Sequence, residues 1–158
     1  MLANQIDLIS GVVLIIASFL LFKDIKSDEK VIRYYFENIE RFHLDIIKWC
    51  NDHFKINEIS PQLVIAQNTK EKKRGEYHIK NRQIIIYLEK IKNPKESVNV
   101  TIHEYVHFIQ HLKDSRFDIN YTLSGREFGY EMNPYEIEAN NIAKIKSREY
   151  ISYLKESL

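Results

Sequence analysis

Thr101–His111 reads T-I-H-E-Y-V-H-F-I-Q-H, and how this stretch winds decides the fold. Val98, Ile102, Tyr105, Val106 and Ile109 recur through it at helical spacing, which predicts a helix with a broad buried face. On that helix His103 and His107 are four apart, so they stand one turn from each other on nearly the same face. Two imidazoles so placed can ligate one zinc ion. Glu104 lies roughly 100° further round and addresses a zinc-bound water instead of the ion. The spacing His103-Glu104-x-x-His107 therefore predicts a metal-binding helix with Glu104 as general base. The plainer alternative is a helix that happens to carry three histidines.

A catalytic zinc takes three protein ligands and keeps one position open, so the chain must supply another. His111 is one turn beyond His107, about 6 Å further along the axis. Three ligands in line on a straight helix cannot surround one ion, which makes His111 a surface or supporting residue. The extended pattern H-E-x-x-H-x-x-G-x-x-H would need Gly at 110 and His at 113, where this chain has Gln110 and Lys113. The better candidate is in Pro134–Asn140, P-Y-E-I-E-A-N. Asn133 as N-cap and Pro134 at the first helical position predict a helix start. Glu136 then sits in the first turn and can ligate zinc. Asn140, four residues on, is placed to hydrogen-bond a ligand histidine. Glu138 is the rival, about 200° round from Glu136. The structural alternative for Glu136 is a capping box with Asn133.

Working outward, residues 27–158 are expected to form one α+β domain. Ser27 or Asp28 can cap a long amphipathic helix to about Phe54, with Val31, Tyr35, Ile39, Phe42, Ile46, Trp49, Cys50 and Phe54 on its apolar face. His43 and His53 fall in it without a metal-spaced partner and read as packing or surface residues. Asn57–Pro61 ends it. Gln62–Gln67, Gly75–Lys80 and Arg82–Glu89 read as three short strands, the last two joined at Lys80-Asn81. Ile84-Ile85-Ile86 is apolar on both faces, which places that strand inside the sheet. Lys113–Met132 has no convincing periodicity and reads as a long connection that could wall a substrate cleft. Tyr121 and Tyr130 within it are possible oxyanion donors, although most of the ten tyrosines in the chain must simply pack.

Residues 1–26 read differently. Leu8–Phe22 carries no charge and is apolar all round, close to the lower limit of about 17 residues for a bilayer span. It is expected to be an uncleaved single-pass anchor through residues 6–25. Lys23, Lys26, Lys30 and Arg33 follow it, which by the positive-inside rule puts the remaining domain in the cytoplasm.

The net charge of +1 over 158 residues gives no strong field, and no nucleic-acid partner is expected. The basic run Lys70–Arg74 is explained by a solvated turn at least as well as by a phosphate-binding patch. Cys50 is the single cysteine, which excludes an internal disulfide and a thiolate metal site.

At His103, Glu104, His107 and Glu136 the chain resembles the gluzincin zinc metallopeptidases, in which an H-E-x-x-H helix is followed by a helix bearing a metal-binding Glu. Asn140 stands where many members have Asp. The layout of long helix, small sheet, motif helix and glutamate helix is similar to the minigluzincins, and the E-x-E-A-N wording to the ImmA/IrrE family, whose members act on repressor proteins. The resemblance implies a zincin-like fold, a zinc cofactor and hydrolysis of a protein or peptide substrate. The alternative is a zinc-binding regulatory protein that keeps the motif and turns over nothing.

Overall fold

The structure is a computed structural model that describes residues 26, 28–67 and 72–158. The long amphipathic helix expected from residue 27 to about 54 is two helices, α1 (residues 28–37) and α2 (Ile39–Phe54). Asn38 leaves helical geometry at φ −142° and ψ 53°, yet its N–H still donates to the Tyr34 carbonyl and its carbonyl accepts from Phe42. The break therefore bends the chain while keeping one apolar side: Val31, Tyr35, Phe42, Ile46, Ile47 and Cys50 are all buried. Cys50 is an inert core thiol whose pKa is pushed up by burial. Lys55, in the left-handed region at φ 54°, closes α2.

The sheet has three strands, β1 (Gln62–Ala66), β2 (Gly75–His78) and β3 (Gln83–Tyr87), in the order β1-β3-β2. β3 pairs parallel with β1 and antiparallel with β2. The apolar run thus lies at the centre as expected, with Ile84 and Ile86 fully buried. A 3-10 turn, Ile79–Asn81, with Arg82 at φ 50°, joins β2 to β3. β2 is left at the sheet edge.

α3 (Pro94–Lys113) carries the motif. Its start is fixed locally: Pro94 fills the first position, Asn93 Oδ1 accepts from the Glu96 N–H at 2.9 Å, and Glu96 reaches back to the Lys92 N–H. α3 is the centre of the molecule, packed against α2, against β2 and β3, and most extensively against the last helix, α5 (Pro134–Ser157). Ile102, Tyr105 and Phe108 are fully buried between these layers. A fully buried side chain of this size is worth about 1.5–3 kcal/mol. An exposed pair such as Arg41–Asp45 adds little, because water screens it, so packing around α3 holds the fold. Two polar links fix α2 against α3: a buried one from His43 Nε2 to Ser97 Oγ at 2.7 Å, and a half-buried one from the Tyr105 hydroxyl to Asn51 Oδ1 at 2.5 Å.

Two further expectations are corrected. The stretch read as an irregular connection holds a helix, α4 (Phe117–Phe128). It buries only Phe117 and leaves Ile119 and Leu123 exposed, so it has no continuous apolar stripe to betray it. The single-pass membrane topology also fails: among the described residues no helix is long and apolar enough to cross a membrane. α5, the longest at 24 residues, turns Ala139, Ala143, Tyr150 and Leu154 to the core and is lined elsewhere with charge. Residues 8–22, on which the anchor was based, lie outside the described residues. The architecture is α+β, mostly helical with one small sheet.

Candidate metal centre

Helical spacing alone brings His103 and His107 together, and their Nε2 atoms lie 3.1 Å apart with the rings nearly perpendicular at 87°. The third group comes from the first turn of α5. There Asn133 caps the helix by accepting from the Tyr135 N–H and donates its own N–H to the Tyr130 carbonyl, which leaves Glu136 without a capping duty, and its side chain turns inward. Its Oε1 lies 3.2 Å from His107 Nε2 and its Oε2 3.3 Å from His103 Nε2. These three residues form a group able to hold one metal ion.

The fit can be tested on distances. Zinc binds nitrogen and carboxylate oxygen at about 2.0–2.2 Å, so tetrahedral neighbours stand about 3.3–3.5 Å apart. The separations, 3.1 Å between the two imidazole nitrogens and 3.2 and 3.3 Å from each of them to a different oxygen of Glu136, are close to that edge. A second observation agrees. Glu136 is 2% exposed, and its Oε2 makes no hydrogen bond although His103 Nε2 stands 3.3 Å away. A buried carboxylate oxygen left unsatisfied is costly, and a cation at the point the three groups face removes the deficit. The donor set of two imidazoles and one carboxylate suits zinc.

Electrostatics follow from the same contacts. Burial pushes Glu136 upward, but the facing imidazoles of His103 and His107 and the Tyr121 hydroxyl outweigh it and hold the carboxyl well below its usual range. Burial lowers His107, and the neighbouring carboxylates of Glu136 and Glu104 reverse the shift and raise it. Glu104 is raised, chiefly by burial, against the opposing pull of the two histidines.

Glu104 is kept in place by the sheet. Gly75 opens β2 directly over it: a Cβ at Gly75 would come within 2.8 Å of Val100 Cγ1, 3.1 Å of Glu104 Cγ and 3.2 Å of Glu104 Oε1. Only glycine lets the strand pass this close. Gly75, Glu104, His103 and Tyr130 line both of two adjoining cavities, of about 260 and 340 Å³. The smaller extends to Lys72 and Arg74, the larger over Tyr77, Phe117 and Tyr121.

The remaining sequence candidates fall as follows. Glu138 is outside the group of three and accepts a hydrogen bond from Gln110. His111 is likewise outside it, with Nδ1 2.8 Å from the Tyr77 hydroxyl and its ring stacked near Phe117. Asn140 lines the smaller cavity but, among the described residues, makes no hydrogen bond to either histidine. Tyr121 donates to Glu136 Oε1 at 2.5 Å, whereas Tyr130 is 66% exposed at the cleft.

Two residues were missed. Gln110 hydrogen-bonds His107; its only sequence signal is a polar residue at i+3 on an otherwise buried face. Gly75 gives no signal, because its reason is the proximity of another element.

No protein-family model matches the chain, and no curated protein and no solved structure is significantly similar to it. The functional reading therefore rests on the site itself.

Proposed function

We propose that the chain is a zinc-dependent peptidase of gluzincin type. The observation that carries this reading is the convergence of His103, His107 and Glu136 beside Glu104 at an open cleft. Zinc bound there would polarise a peptide carbonyl and make a bound water acidic near neutral pH. Glu104, raised by burial, is suited to accept a proton and to return it to the leaving amine. The Tyr130 hydroxyl, at the cleft and also close to Glu136, is the candidate donor for a developing oxyanion, while Tyr121 donates to Glu136. β2 is an edge strand and its Gly75, Glu76 and Tyr77 line the larger cavity, so an extended peptide can add along it.

The test is zinc content together with cleavage of a mixed peptide library, wild type against Glu104→Gln. The expected result is one zinc per chain in both proteins and turnover in the wild type alone. Turnover that survives Glu104→Gln removes the general base from this account. Zinc uptake without turnover in either protein leaves a zinc-binding protein that is not a peptidase.

A further inference from the structure

We infer that Gln110 is the positioning residue of this centre, a single buried side chain that orients His107 and ties it to the turn bearing Glu136. The inference rests on the metal-binding reading and adds a residue that no motif assigns.

Gln110 is 5% exposed, and every polar group of its amide is used. Its Oε1 lies 2.8 Å from His107 Nδ1. Its Nε2 lies 3.0 Å from the Tyr135 carbonyl oxygen and 2.9 Å from Glu138 Oε2. Chemistry fixes which way the amide faces. A backbone carbonyl and a carboxylate only accept, so the NH2 must point at them and the amide oxygen at the imidazole. An amide oxygen also only accepts, so the proton of His107 is on Nδ1. In the neutral ring that leaves the Nε2 lone pair facing His103 Nε2 and Glu136 Oε1, the arrangement a metal ligand requires.

The geometry between helices is as telling as the tautomer. Tyr135 and Glu138 flank Glu136 on α5. By gripping both, Gln110 sets the rotation and depth of the α5 start against α3, and so the position of Glu136 relative to His107. One residue thereby holds ligands from two helices in a single relation. It also explains why Glu138 is not a ligand: its carboxylate is engaged on the far side of Gln110. The role that sequence spacing suggested for Asn140 is taken from the motif helix itself.

The experiment compares wild type with Gln110→Met, which keeps length and loses every hydrogen bond, using zinc alone as the probe. Affinity is read by chelator competition, and the His107 tautomer by nitrogen NMR of the metal-free protein at alkaline pH. Expected are a 10–100-fold loss of zinc affinity, about the range for outer partners of a ligand histidine, and a His107 held as the Nδ1–H tautomer only in the wild type. A Gln110→Met protein that unfolds earlier but binds zinc as tightly as wild type would reduce Gln110 to a packing residue and overturn the inference. Failure of the wild type to take up zinc would instead overturn the metal-binding reading, and the tautomer measurement would still decide whether Gln110 orients His107. Should Gln110→Met not fold, the wild-type spectrum decides: an Nε2–H tautomer at His107 sinks the proposal.

Discussion

Replacing Gly75 by Ala should damage both the packing and the chemistry while sparing the metal. The new Cβ would lie 2.8 Å from Val100 Cγ1, so that methyl must retreat by about 0.6 Å to regain ordinary contact. Val100 is 8% exposed on a helix packed on several sides, which leaves little room for such a shift. Overpacking of this kind costs about 1–3 kcal/mol. The reduced freedom of the unfolded chain returns about 0.4–1 kcal/mol. A net loss of about 1–2 kcal/mol should lower Tm by roughly 3–8 °C in a domain of this size. The second clash, 3.1 Å to Glu104 Cγ, displaces the proposed general base, and misplacement of a reacting group by about 1 Å can cost 100-fold in rate. Zinc affinity should stay at the wild-type value, because Glu104 is not among the three ligand residues. Calorimetry, chelator competition and peptide cleavage read the three effects separately. A Val100→Ala background relieves the first clash only, so stability should show a coupling of about 1 kcal/mol while activity stays low. If Gly75→Ala matched wild type in Tm and turnover, β2 would not be what confines Glu104.

Zinc at 100 times its Kd should stabilise the protein by about 2.7 kcal/mol, a shift visible in a thermal melt and abolished by His103→Ala or a chelator. Tyr121→Phe removes a hydrogen bond to a buried carboxylate, so urea unfolding of the metal-free protein should show a loss of about 1.5–3 kcal/mol; unchanged stability would mean that the hydroxyl is free for another role. His43 is fully buried, with Nδ1 donating to the Ile39 carbonyl and Nε2 accepting from Ser97. Burial lowers its pKa, so the folded state binds its proton less readily than the unfolded chain. Stability from this residue is complete above the unfolded value of about 6.5 and is lost as pH falls below it. Unfolding followed from pH 7.5 downward should therefore be flatter in His43→Asn than in wild type, by at most about 1.36 kcal/mol per pH unit.

The sequence by itself determined whatever depends on a few residues in one helix. The four-residue step from His103 to His107, the offset of Glu104, and the starts of α3 at Asn93-Pro94 and of α5 at Asn133-Pro134 are all local. Helical geometry fixes such relations before any tertiary contact forms. The apolar run Ile84–Ile86 likewise announced a central strand, since both of its faces had to be covered. Only the tertiary structure decided how separate elements meet. The choice of Glu136 over Glu138 depends on the rotation of α5 about its axis, and that rotation is set by packing on α3 and by the grip of Gln110. The need for glycine at position 75 depends in the same way on what lies across from it. α4 escaped notice because it buries little, so its formation leaves hardly any pattern in the residues. Spacing along a helix carries a site as far as the edge of its own element; closing it around an ion takes a second element, whose register the chain does not spell out.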